Sequence, residues 1–388
     1  MHVLHVTPFF PPTWAYGGIP RIVYGLSRAL VAQGVECTVW TTDALDTRRA
    51  ELPEERVLDG VRVRVSKNLS NTLAYRHQLF LPMHAEQALD ALGQIDLVHL
   101  HGHRHLLNNH AVAFARRRGI PYVMTPNGTL PRHERKTGVK LLWDLLVAGS
   151  VPTGAARLIA VSQAERGQFL RLGVPLERVD RIPNGLMIEE FDALPAPGTF
   201  RQRWGIEGRI VAYLGQISPR KGVEHLVAAF HGGAIDGATL VIAGNDMGAL
   251  GEAKSRADDR VVFAGLLEGD DRLALLVDAD VLVYPSTDEV FGLVPFEGLM
   301  CGAPVVVGGD CGCGELISAA GAGLLVQHAD VEGLRARVRT LLQDSDAARA
   351  MVERGRAYVR EHLSFERVAA QHRSLYALVL KERAHDPS

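Results

Sequence analysis

Glu289 and Glu297 stand eight positions apart in the stretch Glu289-Val-Phe-Gly-Leu-Val-Pro-Phe-Glu297, on either side of a Phe-Gly-Leu turn. The apolar run 280–286 before it reads as a buried parallel strand, and the residues from Val294 on suit a helix start. The turn is then expected at the carboxyl end of a strand, where open α/β sheets bind ligands. Free backbone N–H groups of such a turn suit a phosphate or a sugar oxygen. The spacing places Glu289 at the mouth of the site and Glu297 about two turns into the helix. Carboxylates so placed accept hydrogen bonds from vicinal hydroxyls, which a sugar and a ribose both offer. A surface acid followed by a helix acid would give the same pattern, so the motif has to be weighed with its neighbours.

The second constellation is Leu214-Gly-Gln-Ile-Ser-Pro-Arg-Lys-Gly222. A strand ends at Leu214, a loop follows, and Arg220 and Lys221 arrive just before a helix. Two cations there can stabilise the charge that gathers on a departing nucleoside diphosphate. A solvated Arg-Lys pair in a loop is the bland alternative. The third is Gly17-Gly18 at the end of Pro11-Pro-Thr-Trp-Ala-Tyr-Gly-Gly18. Paired glycines let backbone approach a phosphate, and the helix start behind them supplies N–H donors. It is not a Gly-x-Gly-x-x-Gly fingerprint, and a flexible surface turn would look the same. The fourth is Asp96-Leu-Val-His-Leu-His-Gly102, a strand with His101 at its tip and His103 and His105 close behind. Alternation puts His99 and His101 on one side of the strand. His101 is expected to face a cleft and touch an acceptor, and His99 to be a satisfied core histidine.

The elements that must hold these groups alternate between strands and helices, which favours parallel sheets with crossover helices. Strands are expected at 2–6, 36–41, 61–66, 97–101, 122–125 and 157–161, with helices at 22–33, 85–92 and 111–118. The rhythm restarts with strands at 210–214, 239–243, 261–264, 281–284, 305–307 and 323–326. Helices at 223–230, 271–277, 331–342, 347–362 and 365–382 complete the second half. Pro and Gly concentrate at 182–185 and 194–198, which marks a domain boundary near 183–197.

Composition agrees with two globular domains. The chain has 388 residues, 47% hydrophobic and 22% charged, too long for one ordinary core. A formal charge of −2 argues against a general nucleic-acid binder. Four cysteines, with Cys311-Gly-Cys313 the only close pair, are too few for a disulfide framework and lack a second ligand pair for a metal. Pro8, Pro11 and Pro12 interrupt the first apolar segment, so no signal peptide is read, and no window reaches eighteen uncharged apolar residues. A cytoplasmic protein is expected.

Taken together, these motifs resemble glycosyltransferase family 4, retaining enzymes of the GT-B type. The resemblance runs from Met1-His-Val-Leu-His-Val-Thr to the last helix. It implies an α/β fold of two Rossmann-like αβα domains facing across a cleft, with a C-terminal helix crossing back to the first domain. Residues 1–185 with 365–388 would form the acceptor-binding domain and residues 186–364 the donor-binding one. It also implies that Glu289 binds hydroxyls of the transferred sugar, and that the amides of Phe291, Gly292 and Leu293 touch the sugar and the distal phosphate. Glu297 would hold the ribose, and Leu267 would lie beside the base. Arg220 and Lys221 would bind the donor phosphates, with Gly17 and Gly18 facing them across the cleft. Catalytic roles would fall to Arg220, Lys221, Glu289 and His101. No metal and no other cofactor is expected, since family members work without one.

In one place the chain departs from the family. Many members carry His-Gly after the next strand, where the histidine touches the donor sugar; this chain has Thr125-Pro-Asn-Gly128. Asn127 therefore takes the sugar or acceptor contact, and an amide is no general base near neutral pH. The resemblance implies front-face chemistry in which the departing phosphate takes the acceptor's proton, so a protein base is dispensable.

The expected function is transfer of a hexose from a UDP- or GDP-sugar to a glycan or lipid-linked acceptor of a bacterial cell-surface polysaccharide. A nucleotide-sugar epimerase of the same fold, or a non-catalytic sugar-nucleotide-binding scaffold, are the alternatives. The segment 130–146, basic at its start and then amphipathic, suits either a peripheral contact with an anionic membrane or a core-facing helix with a cationic rim.

Overall fold

The computed structural model describes residues 1–14, 17–130, 151–233 and 235–385. Residues 131–146 of the basic amphipathic segment lie outside them. The chain divides into two compact units, one formed by Met1–Gly185 with the segment from Phe365, the other by Leu186–Ser364. Among the described residues no helix is long and apolar enough to cross a membrane.

The first unit carries strands β1 (His2–Val6), β2 (Glu36–Thr42), β3 (Glu55–Leu58), β4 (Val61–Ser66), β5 (Leu97–His101), β6 (Tyr122–Thr125), β7 (Arg157–Ala160) and β8 (Val179–Arg181). They form one sheet in the order β3-β4-β2-β1-β5-β6-β7-β8, parallel except for β3 against β4. β1 and β5 are buried at every residue, as strands covered on both faces must be. The order reverses between β1 and β5, which makes the loops after those two strands the expected ligand-facing ones. Register sets His5 beside His99 and His101 beside Thr125.

The second unit carries β9 (Arg209–Leu214), β10 (Ala238–Ala243), β11 (Val261–Gly265), β12 (Val281–Tyr284), β13 (Val305–Gly308) and β14 (Gly323–Val326) in the order β11-β10-β9-β12-β13-β14, all parallel. This is the doubly wound order 3-2-1-4-5-6, and its reversal lies between β9 and β12. The loop after β9 carries Arg220 and Lys221; the loop after β12 carries Glu289.

Several elements differ from the sequence expectation. β3 was not expected: its four residues, Glu55-Arg-Val-Leu58, are exposed or half-buried and show no polar-apolar alternation, yet Asp59-Gly60 is a two-residue hairpin signal, and both residues hold the positive φ it requires. The short helices Asn71–His77 and Gln163–Arg171 also went unread; each is announced only by a serine N-cap, Ser70 and Ser162. The first helix runs Gly18–Ala32, starting before Ile22, because Pro20 in its first turn has no N–H to lose. The 347–362 stretch is an α-helix, Ser345–Tyr358, that ends in a π turn, Val359–Leu363.

The last helix, Phe365–His385, packs within the first unit. A Cβ on Gly25 would fall 2.1 Å from the Phe365 ring, so the glycine is what lets that ring lie against the first helix. Tyr376 of the same helix reaches the Nδ1 of His99 at 2.6 Å.

Candidate active site

In the second unit the two loops at the strand reversal converge on one carboxylate. Pro219–Lys221 form a single 3-10 turn, and Gly222, in the left-handed region at φ 64°, turns the chain into the helix Val223–Phe230. A side chain at Gly222 would meet the Pro285 carbonyl at 2.8 Å, so the loop after β9 lies directly on the one after β12. The Thr287 amide donates to the Arg220 carbonyl at 2.9 Å and pins the two together. The Lys221 ammonium, on a residue only 7% exposed, donates to the Tyr284 hydroxyl at 2.6 Å and pairs with Glu289 Oε2. Tyr284 also donates to that oxygen at 3.1 Å. Burial pushes the Glu289 carboxyl up, but Lys221, then Arg220 and the Tyr284 hydroxyl, outweigh it and hold the group below its ordinary value.

Beside this centre, the backbone N–H groups of Phe291, Gly292 and Leu293 have no acceptor among the described residues. Gly292 sits at φ 81°, and a Cβ there would meet Cys313 Sγ at 3.1 Å. The Gly312 amide donates to the Glu289 carbonyl at 2.8 Å, so the loop rests on the turn that starts the helix Gly312–Ala320. Cys311 and Cys313 are buried free thiols with their sulfurs 3.1 Å apart. Burial raises the Cys313 thiol well above its ordinary value, while the hydrogen bond from Cys313 lowers that of Cys311.

Glu297 is not two turns deep. It lies in the first turn of the helix Val294–Cys301, because the chain spends residues 289–293 in the loop before the helix begins. Its Oε2 accepts from Arg272 at 2.6 Å, and Arg272 also reaches Glu190 at 3.2 Å. Burial would lower the Arg272 guanidinium, but the two carboxylates raise it above its ordinary value. Sequence reading missed Arg272, Glu190 and the Tyr284 hydroxyl, since nothing in local spacing ties residues 190, 272 and 297 together. Both side chains of the Arg272–Glu297 pair are about nine-tenths buried, so Arg272→Ala leaves a carboxylate uncompensated. It is expected to lower the stability of this unit by about 3 kcal/mol, read as a shift in the urea midpoint; Arg272→Lys should recover part of it. Leu267 is half-buried in the coil after β11, outside the Lys221–Glu289 network.

In the first unit, Gly17 and Gly18 are exposed at the N-terminus of the first helix, which has no side-chain cap and no acid in its first turn. The expectation for His101 needs correction. It is 1% exposed and does not face solvent: its Nε2 bonds His5 Nδ1 at 2.9 Å, and its ring lies 3.9 Å from that of His99. His99 is the satisfied core histidine expected, held by Tyr376 and, at 2.8 Å, by Thr125 Oγ1. Burial holds both imidazoles well below their ordinary pKa, so both stay neutral. His101 also lines a cavity of about 10 Å³ with Thr125, Asn184, Phe365 and His372, room for about one water.

Among the described residues, His5, His99 and His101 are the set whose ligand atoms approach closely enough, within 4.8 Å, to hold a metal ion. Both His99 nitrogens and one on each of the other rings are already hydrogen-bonded, which is the arrangement of a core network.

Asn127 and Gly128 sit at the centre of a turn that follows β6, both at positive φ. The amide oxygen and nitrogen of Asn127 are shielded from solvent, with no hydrogen-bond partner among the described residues. Behind the turn lies Glu165, fully buried, accepting from the Gly128 amide at 2.6 Å and the Val161 amide at 2.9 Å. Burial raises its carboxyl to about 7 against the pull of those two amides. The pattern Ser162-x-x-Glu165, half of a capping box, was its only signal in the sequence.

Comparison with known proteins bears on both units. Residues 199–358 match the family model described as Glycosyl transferases group 1, and residues 16–190 match the one described as Glycosyltransferase Family 4. Over 298 residues the chain is 30% identical to a GDP-mannose-dependent alpha-mannosyltransferase of Mycobacterium tuberculosis (strain CDC 1551 / Oshkosh), covering 74% of this chain and 75% of that relative. A glycogen synthase of the same strain is 29% identical over 406 residues, covering 97% of this chain and 94% of the relative. Among solved structures, Anabaena Alr3699/HepE in complex with UDP-glucose matches with a TM-score of 0.72 at 20% identity, over 98% of this chain and all of that one. At that identity the likeness speaks for the fold.

Proposed function

The chain belongs to glycosyltransferase family 4 and has the two Rossmann-like units of a GT-B glycosyltransferase; from this we propose that it moves a hexose from a UDP- or GDP-sugar to a glycan or lipid-linked acceptor. The reaction retains the anomeric configuration, needs no metal, and serves the building of a bacterial cell-surface polysaccharide from the cytoplasmic side. The observation that carries the reading is the Lys221–Glu289–Tyr284 centre beside Arg220 and the amides of Phe291, Gly292 and Leu293, which have no acceptor among the described residues. Together these supply what a nucleotide sugar needs: an acceptor for its hydroxyls, and N–H donors and cations for its diphosphate.

In this reading Glu289 accepts from the sugar, and the amides of Phe291, Gly292 and Leu293 bind sugar and distal phosphate. Arg220 and Lys221 take the charge that builds on the leaving group. Glu297 keeps one oxygen for the ribose while Arg272 holds the other. The bond from the anomeric carbon to the phosphate oxygen breaks. The acceptor hydroxyl oxygen bonds that carbon on the same face, and its proton passes to the departing phosphate, so no protein base is required. The neutral, buried His101 accords with that, since it is in no position to take a proton from solvent-borne substrate. Gly17, Gly18 and Asn127 are assigned to the first unit's contacts with phosphate and sugar. The lipid-side reading rests on the sequence of 130–146 alone.

One relative is named as GDP-mannose-dependent and one structure of like fold is bound to UDP-glucose, so the donor is the first thing to measure. Incubation with a panel of UDP-, GDP- and ADP-sugars, with the anomeric protons followed by NMR, should show slow hydrolysis of one donor that Glu289→Gln lowers by about a hundredfold or more. Conversion of one nucleotide sugar into another would replace the reading by an epimerase. A titration that finds nucleoside diphosphate binding, with no turnover even when acceptor glycans are supplied, would leave a scaffold.

A further inference from the structure

Asn127 has a backbone reason to be asparagine, because Asn-Gly suits a turn whose two central residues both need positive φ. That reason leaves its side chain unexplained. Both amide atoms are shielded from water and make no hydrogen bond among the described residues, a state that costs free energy unless a partner arrives. Asn127 thus has the character of a group waiting for a ligand that can both donate and accept, as a hydroxyl does.

What holds the turn is Glu165. Its own amide donates to Ser162 Oγ at 3.2 Å, the first half of a capping box. The second half is missing, for the carboxylate does not return to the Ser162 amide. One oxygen takes the Val161 amide, at the end of the strand beside β6, and the other takes the Gly128 amide, one residue from Asn127. The residue is wholly buried, and no charged group is among those that set its carboxyl. An acid needed only to cap a helix would sit in water; this one bridges two loops across the carboxyl ends of β6 and β7.

We infer that Glu165 is a positioning residue: by bonding the Gly128 and Val161 amides it fixes the turn so that the Asn127 amide is presented to a hydroxyl of the sugar undergoing transfer. This rests on the transferase reading above. It also accounts for how the chain does without the histidine that the family resemblance implies at this place. A short amide side chain contributes only if its backbone is held still, and the clamp does that.

The test is a double-mutant cycle of Glu165→Gln and Asn127→Ala, read on turnover of the donor identified by the panel, on affinity for the free nucleoside diphosphate, and on melting temperature. Glu165→Gln keeps the shape but turns an N–H donor toward one of the two amides. It should lower kcat by about tenfold to a hundredfold, as misplacement of a positioned group does. Nucleoside diphosphate affinity should stay unchanged, and the double variant should be no slower than Asn127→Ala alone. Multiplying effects, or a loss of kcat matched by weaker nucleoside diphosphate binding, would overturn the inference. Should the wild type turn over no donor, the transferase reading falls by itself. The clamp is then judged by the side-chain amide NMR resonances of Asn127 in Glu165→Gln, where shifted signals uphold it and unmoved ones refute it.

Discussion

Lys221→Ala is expected to lower donor turnover by about a hundred- to a thousandfold, the usual effect of removing one charged donor from a preorganised site. Two losses combine. The ammonium that would meet the leaving phosphate is gone, and so is the cation that keeps Glu289 ionised. Burial already pushes the Glu289 carboxyl up, and Lys221 is the largest of the groups that bring it back down. Without Lys221 the carboxyl should protonate more readily and stop accepting from the sugar. The Tyr284 hydroxyl loses its partner at 2.6 Å as well. Lys221→Arg should recover little, because a planar fork does not fit a position where the ammonium lies 4.7 Å from the Tyr284 ring centroid and is almost enclosed. Since both residues serve one centre, Lys221→Ala combined with Glu289→Gln should be hardly worse than either alone. Turnover within threefold of wild type in a folded Lys221→Ala protein would remove this centre from the reaction.

A second large effect should appear on acidification, in the first unit. His5, His99, His101, His105 and His372 are buried there, and burial lowers each imidazole: His5 and His105 to about 3, His372 to about 4, the other two well below the ordinary 6.5. His105 is the starkest case, with neither ring nitrogen bonded and its ring edge-on to Phe9 and Phe80. A base whose pKa is lower in the folded state contributes full stability above its unfolded pKa and loses it as pH falls. The loss therefore begins near pH 6.5 and grows by about 1.4 kcal/mol per pH unit for each such ring.

Glu165 acts in the opposite sense. Its carboxyl is raised from 4.5 to about 7, so the folded state holds its proton more tightly across that interval, and lowering the pH through it adds stability. One acid cannot offset five imidazoles. At pH 5 each of His5, His105 and His372 costs about 2 kcal/mol, and the net loss is a large part of a domain's stability. The melting temperature should thus fall steeply between pH 6.5 and 5 while changing little from 8 to 7. His105→Leu should flatten the fall, whatever it does at pH 8. A melting temperature that holds level down to pH 5 would show that these rings are hydrated or paired in solution.

Much of the fold is legible along the chain because a parallel sheet buried on both faces writes itself as short apolar runs. β1, β5, β9 and β12 are such runs, and each is followed by a loop that carries Gly or Pro. What escaped was marginal by nature: β3 is an exposed edge, and the helix Gln163–Arg171 has too few apolar residues to show a period. The residues around the Lys221–Glu289 pair were legible for a different reason. Backbone amides, a carboxylate and a cation at the ends of neighbouring strands are local features, and Phe291, Gly292, Leu293, Glu289 and Lys221 declare themselves by type and spacing.

The partners of those residues belong to the tertiary structure. Arg272 meets Glu297 from 25 positions away, and Tyr284 joins Lys221 to Glu289 only because β9 and β12 lie side by side at the sheet's reversal. His101 was expected to face a cleft from its strand tip, and the packing of β1 against β5 made it part of a buried imidazole network instead. Glu165 and Asn127, 38 positions apart in the chain, meet through one backbone amide. The sequence alone determined which chemistry the chain can offer, since that depends on residue type and local backbone. Which groups are neutral, which are paired and which still lack a partner was decided by burial and strand order, because desolvation and charge pairing act through space rather than along the chain.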